Sequence, residues 1–258
     1  MPGDAVLVGV GEMGGIFAKA LLRAGASVHP VLRDTDRAVA SQRVPEPELV
    51  LVTVAEADLH PALRSLPPEW RTRTGLLQNE LLPRDWTAYH IVDPTVAVVW
   101  FEKKKGQDVR VITSSPIGGP AAQLLVDALA TCSIPAHVVS TDEELLFALV
   151  EKNCYILTAN IAGLETGGSV GELWTVHEVL ATAVFDEIVA IQEHLTGEKF
   201  DRDRLLAGMV AAFEADPGHG ATGRSAPSRL ERALSHATDR GVQVPTLREI
   251  GQAHGVTR

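Results

Sequence analysis

The chain has 258 residues, enough for two modest domains, and 45% are hydrophobic, an ordinary composition for a folded protein. A formal charge of -10, from 33 acidic against 23 basic residues, argues against a general nucleic-acid binder or a membrane-surface protein. No apolar stretch is expected to match a bilayer span and no secretory leader is read. The two cysteines, Cys132 and Cys154, lack metal-ligand spacing and read as small buried apolar residues, so a cytoplasmic protein with reduced thiols and no metal is expected.

Residues 4–9 read as a first strand that leads into Gly9-Val10-Gly11-Glu12-Met13-Gly14, with a helix from Met13 to Ala24 stopped by Gly25. Strand, Gly-x-Gly-x-x-Gly and helix in that order suit a dinucleotide. The first glycine permits the tight turn, the second admits a pyrophosphate, and the third lets helix pack on sheet. The helix start then offers unpaired N–H groups to phosphate. A glycine-rich turn in another α/β protein is the bland alternative. Glu12 would oppose a pyrophosphate and is expected to point outward, and Met13 to pack on the helix or at the pocket rim.

Val28–Leu32 reads as a second strand, with Pro30 a warning against a regular ladder. The adenosine ribose is expected at its end, at Leu32-Arg33-Asp34-Thr35. Arg33 there offers a guanidinium to a 2′-phosphate and favours NADP, while Asp34 suits an unphosphorylated ribose or simply begins a loop. Val50–Val54 is a short β-branched run fit for a buried parallel strand. Leu59–Leu66 supplies a short helix, and Thr72–Leu77 and Tyr89–Val92 a fourth and fifth strand. Asn79, just past the fourth strand, is placed to bond substrate or cofactor ribose, or else to make an Asx turn.

Val96–Phe101 and Val109–Thr113, around Lys103-Lys104-Lys105-Gly106, suggest a hairpin with a solvated turn forming an antiparallel edge or extension of the sheet. Gly118–Ala130 reads as a helix and Ala136–Val139 as a last strand. Thr141 with Glu144 then makes a capping box, and nearly everything after it reads helical. One long helix is expected over Ser169–His194, with a stripe of Leu173, Val176, Val179, Leu180, Val184, Ile188 and Ile191. Intrachain packing explains that stripe, and a homodimer contact is its other use. Further helices are expected over Asp201–Phe213, Ser228–Thr238 and Leu247–Ala253, with a loop over Pro217–Gly223.

The fold class is therefore α/β: an N-terminal Rossmann-like domain, residues 1–140, that holds the nucleotide, then an all-helical domain, residues 141–258, for substrate or dimerisation. In the second, Lys152, Ile156 and Asn160 recur every four residues on one helix face. Lys152 can polarise a carbonyl and donate a proton, and Asn160 can orient an oxygen. A solvent-facing lysine and a helix-bending asparagine are the ordinary alternatives.

These residues resemble the ketopantoate reductase family, the NADP-dependent 2-dehydropantoate 2-reductases, over nearly the whole chain. Gly9, Gly11 and Gly14 match its cofactor loop, Arg33 its phosphate arginine, Val50–Val54 its strand before the cleft, Lys152 its general acid and Asn160 its substrate-side asparagine. Gln78-Asn79 resembles its Asn-Gly motif, and Gly241-Val242-Gln243-Val244-Pro245 its Gly-Val-x-x-Pro ending.

The chain departs from that pattern where Ala55-Glu56 replaces a second lysine, Glu80 replaces the glycine, and Ile156 replaces an asparagine. No acidic residue lies at Arg224–Pro227, where the family has a glutamate; Arg224, Ser225 and Ser228 are the candidate substrate donors there. The resemblance implies NADP-dependent reduction of a small 2-oxo acid or related carbonyl compound, without metal or nucleic acid. Its alternatives are an NADP-binding relative with little or no catalysis, and a partner-binding Rossmann protein without a dinucleotide.

Overall fold

The run Ala5–Val8 is buried and apolar, as a strand covered on both faces requires, and forms most of β1 (Asp4–Val8). The computed structural model describes residues 3–256. After β1 come α1 (Glu12–Arg23), β2 (Ser27–Val31), α2 (Arg37–Arg43) and β3 (Leu49–Val52). A 3-10 turn at Glu56–Asp58 leads into α3 (Leu59–Arg64), followed by α4 (Pro68–Arg71), β4 (Thr74–Leu76), α5 (Pro83–Thr87) and β5 (Thr95–Ala97). Then come β6 (Phe101–Glu102), β7 (Arg110–Val111), β8 (Ser115–Gly118), α6 (Ala122–Ala130) and β9 (Ala136–Val138). From α7 (Asp142–Thr166) onward the chain is helical: α8 (Val170–Val176), α9 (Glu178–Thr196), α10 (Arg202–Ala215), α11 (Ala226–Arg240) and α12 (Pro245–Ala253). This is a Rossmann-like α/β region followed by an all-helical one.

The main sheet has seven strands in the order β2-β1-β3-β4-β5-β8-β9. Its pairs are parallel except β5 with β8, which are antiparallel. Pro30 does not disturb the ladder, because β2 is an edge strand and stays in register with β1 along its full length. On one face α1 and α6 pack together over Leu7, Leu51, Ala97 and Ile117, with Phe17 and Phe101 ring centroids 6.0 Å apart.

Three expectations about this region are corrected. Tyr89–Val92 is not a strand: Tyr89 and His90 close α5 through bonds to the Trp86 and Thr87 carbonyls. His90 and Asp93 have φ of 56° and 50°, which breaks any extended path, and Val92 is 77% exposed. The hairpin forms, with Phe101 opposite Val111, but as a separate two-stranded sheet; the antiparallel member of the main sheet is β8. Gly118 ends β8 rather than starting a helix, and α6 begins at Ala122.

The chain divides into two compact units at Leu149/Val150, inside α7. The capping box starts α7 as its residues dictate: Glu144 N–H donates to Thr141 Oγ1 at 3.1 Å, and the Glu144 carboxylate accepts from Thr141 N–H at 3.3 Å. Contrary to the composition-based expectation, α7 is long and apolar enough to cross a membrane, with a mean hydropathy of 1.3 over an 18-residue window. That window is 72% buried inside the protein, as in a core helix.

In the second unit, the expected helix over Ser169–His194 is two helices. Its start holds, through a reciprocal Ser169–Glu172 box, but the backbone breaks at His177 (φ -122°, ψ 30°). Leu173, Val184, Ile188 and Ile191 remain buried, whereas Val176 and Val179 beside the break are 70% and 87% exposed. Two polar contacts tie α9 to its neighbours. Asn153 of α7 donates to Gln192 at 3.0 Å, and the Glu187 carboxylate accepts from Thr246 and Leu247 N–H at the start of α12 at 2.7 and 2.9 Å.

Candidate active site

The glycine loop sits at the carboxyl end of β1, and its geometry follows from three backbone constraints. Gly9 has φ +91°, a conformation open to glycine. A Cβ on Gly14 would lie 2.7 Å from both the Gly9 carbonyl oxygen and Thr53 Oγ1, so only glycine lets α1 come this close. Gly11 is the N-cap of α1 and a Cβ there would meet nothing within 4 Å, which leaves open space in front of the helix N-terminus. Val10 and Glu12 are exposed, and Met13 is half-buried against the core, as read from the sequence.

Beside this loop lies a cavity of about 530 Å³, lined in part by Gly11, Glu12, Gly15, Lys19, Lys103 and Cys132. Lys103 is not simply a solvated turn residue: its ammonium lies 3.9 Å from the Glu12 carboxylate. Cys132 is half-buried at the cavity wall, whereas Cys154 is fully buried and burial pushes its thiol up. Among the described residues no group of three or more His, Cys, Asp or Glu could hold a metal ion.

The ends of β3 and β4 continue the floor. Thr53 Oγ1 donates to the Gly9 carbonyl, and Val54 packs so closely on Gly9 that a Cβ there would meet its Cγ1 at 3.0 Å. Gln78, 8% exposed, donates to the Val52 and Val54 carbonyls at 2.8 and 3.2 Å. This fixes the backbone that presents Asn79. Asn79 Nδ2 in turn donates to Glu56 Oε1 at 2.9 Å. On the other side of β1, the Arg33 guanidinium lies 3.6 Å from Asp58 with its side chain 88% exposed. So exposed a pair contributes about 1 kcal/mol or less and competes little with an incoming phosphate.

In the helical unit, Lys152 is 8% exposed, with Nζ 5.0 Å from the centroid of the Tyr155 ring. Its burial sets aside the solvent-facing alternative. Asn160, two turns further along α7, accepts from Arg229 Nη1 at 2.7 Å, and Arg229 is 7% exposed. Arg229, the partner of Asn160, was not anticipated from the sequence. The available signal was a cation on the buried stripe of α11, among Ala226, Leu230, Ala233 and Leu234. Arg224, Ser225 and Ser228 are exposed where α11 begins, and Ser228 Oγ donates to the Ser225 carbonyl at 3.0 Å. Glu151, beside Lys152, has a carboxyl raised above its ordinary range by burial, partly opposed by Arg204.

Each of the two asparagines has its amide oriented by a charged partner. A carboxylate only accepts, so Asn79 turns Nδ2 to Glu56, and its amide carries a second N–H beside Oδ1. A guanidinium only donates, so Asn160 must turn Oδ1 to Arg229, and Nδ2 is what it can offer.

No protein-family model matches the chain, and no curated protein sequence does so either. Solved structures do match it in fold. A 2-dehydropantoate 2-reductase from Methylococcus capsulatus superposes with a TM-score of 0.69 at 15% identity, covering 98% of this chain and 96% of that one. A PanE/ApbA family ketopantoate reductase from Ralstonia eutropha JMP134 gives 0.68 at 18% identity, covering 97% and 96%. A D-mandelate dehydrogenase in complex with NADH gives 0.66 at 15% identity, covering 97% and 98%. The chain has the fold of the ketopantoate reductases along its length. Identities this low carry the fold, and the chemistry rests on the chain's own residues.

Proposed function

We propose that this chain is a divergent relative of the ketopantoate reductases that uses NADP(H) to reduce a small carbonyl compound to an alcohol. The observation that carries the proposal is the glycine cradle: Gly14 close against Gly9 and Thr53, with open space before Gly11 at the start of α1. It fits a pyrophosphate, and the shared reductase fold supports the same reading. Gly9, Val10, Gly11, Glu12, Met13 and Gly14 would hold the dinucleotide through the loop backbone, and Arg33 its 2′-phosphate.

When bound, a reduced nicotinamide supplies a hydride to a carbonyl carbon. Lys152 stabilises the developing alkoxide and gives it a proton, regaining one from solvent. Asn160 donates through Nδ2 to a substrate oxygen, with Arg229 holding its amide in place. Arg224, Ser225 and Ser228 are further donors for a polar substrate end. A second reading, a dinucleotide-binding protein without turnover, is favoured by one observation: Glu56, which stands where the family resemblance leads one to expect a second lysine, takes one amide N–H of Asn79.

The experiment mixes purified protein with NADPH and a panel of 2-oxo acids, hydroxyketones and aldehydes, following absorbance of the reduced nicotinamide. Steady oxidation with at least one carbonyl compound supports the reductase. Saturable NADPH binding without turnover across the panel supports the second reading, and no binding of NADPH or NADH contradicts both.

A further inference from the structure

The β6–β7 hairpin stands apart from the main sheet, and its contacts give it a place at the glycine loop. Phe101 is buried, with its ring centroid 6.0 Å from that of Phe17 on α1, which seats β6 against that helix. Two residues further on, the Lys103 ammonium lies 3.9 Å from the carboxylate of Glu12, the first residue of α1. Lys103 also donates to the Gln107 carbonyl across the turn, and Gln107 N–H donates to the Lys104 carbonyl at 3.0 Å. Lys104 pairs instead with Glu102 at 3.3 Å. The lysines of this turn are therefore not equivalent: Lys103, with its side chain 24% exposed, is the one turned to the loop.

Glu12 poses a difficulty that this contact answers. The N–H groups of a helix's first turn have no partner within it. In α1 the Gly15 N–H bonds the Gly11 carbonyl at 2.8 Å, so Glu12, Met13 and Gly14 supply the open donors. Those donors favour an anion. A carboxylate on the first helical residue suits the helix alone but repels a second anion at the same terminus, at a range where salt screens incompletely. Lys103 cancels that charge without filling the space: a Cβ on Gly11 or Gly15 would meet nothing within 4 Å. Gly11, Glu12, Gly15 and Lys103 all line one cavity.

We propose that Lys103 is a positioning residue for a dinucleotide's pyrophosphate, acting through Glu12: it neutralises the carboxylate at the N-terminus of α1, and the β6–β7 hairpin is the element that delivers it there. The inference rests on the dinucleotide reading above and adds to it a residue outside the glycine loop. Its signature differs from that of Arg33. The pyrophosphate is common to NADPH and NADH, so Lys103 acts on both alike, whereas Arg33 acts on the 2′-phosphate.

Calorimetric titration with NADPH and NADH, at about 50 and 500 mM salt, tests it on wild type and a set of variants. Lys103→Met should weaken both dinucleotides by about fivefold at low salt, and by less at high salt. Lys103→Arg keeps the charge and should stay within about twofold of wild type, as should Lys105→Met, which removes a lysine from the same turn without touching Glu12. Glu12→Gln should tighten both dinucleotides by about threefold, and Glu12→Gln with Lys103→Met should return to within about twofold of wild type. The opposite signs of the two single variants separate charge compensation from a tether, which either substitution would break with loss of affinity. If wild type binds neither dinucleotide, the dinucleotide reading falls and this inference with it. If wild type binds, the inference alone is overturned when Glu12→Gln weakens binding, when Lys103→Met stays within about twofold of wild type or loses no more than Lys105→Met, or when Lys103→Met loses affinity for NADPH but not for NADH.

Discussion

The bond between Asn160 and Arg229 lends itself to a quantitative test. Arg229 Nη1 donates to Asn160 Oδ1 at 2.7 Å, and Arg229 is 7% exposed, so the contact is charge-assisted and largely shielded from water. Removing the acceptor in Asn160→Ala leaves a desolvated donor, which costs about 1–3 kcal/mol. Arg229→Met removes the guanidinium, fills part of its volume, and carries its own cost because Asn160 Oδ1 loses its donor. In the Arg229→Met background, Asn160→Ala no longer takes an acceptor from a buried guanidinium and should cost far less. The double-mutant cycle should therefore give a coupling of about 1.5–2 kcal/mol. Hydrogen exchange of α7 and α11 amides reads this locally, since about 2 kcal/mol corresponds to roughly thirtyfold faster opening in Asn160→Ala. Additive effects, or a coupling below about 0.5 kcal/mol, would refute the claim that the two side chains hold each other in place.

Gly14→Ala should lower stability by about 1–3 kcal/mol, because its Cβ would sit 2.7 Å from two oxygens, and should weaken NADPH binding more than tenfold. Gly15→Ala, whose Cβ meets nothing within 4 Å on the same helix, should instead raise stability by about 0.5–1 kcal/mol; thermal melts of the two variants should shift in opposite directions. Lys152→Met should reduce turnover by about a hundredfold or more while leaving NADPH affinity within about threefold, and turnover near wild type would remove its role as the proton donor. Burial raises the Glu151 carboxyl in the fold, so the folded state binds more protons than the unfolded state between the two values. Its contribution to stability is therefore fully present at acid pH and is lost as pH rises through the raised value. Glu151→Gln should be more stable than wild type at neutral pH, with the gap closing below about pH 4.5 in paired urea titrations.

The first half of the Rossmann region was legible because its signals are local. An apolar run, three glycines at fixed spacing and a helix stop at Gly25 each act within a few residues, and the Thr141–Glu144 box marks the start of α7 in the same way. What was misread depends on context. Tyr89–Val92 has strand-like residues, yet left-handed backbone at His90 and Asp93 turns it into the exit from α5. The strand β8 contains Pro116 and ends in glycine, so its composition concealed a place between β5 and β9. The break at His177 has neither glycine nor proline to announce it, and only the exposure of Val176 and Val179 reveals it. Spacing and resemblance single out Lys152, Asn160 and Asn79 as candidates. They do not reach the partners: Arg229 is 69 positions from Asn160, and Glu56 is 23 from Asn79. Those partners orient each amide, which the asparagines by themselves do not reveal.

In the proposed function, the Gly9–Gly14 loop and Arg33 hold a phosphorylated nicotinamide dinucleotide. Calorimetric titration of wild-type protein and Arg33→Ala with NADPH and NADH tests it most directly. Wild type should bind NADPH more tightly than NADH, and Arg33→Ala should lose about tenfold in NADPH affinity with little change for NADH. Absence of binding to either dinucleotide, or equal losses for both in Arg33→Ala, would contradict it.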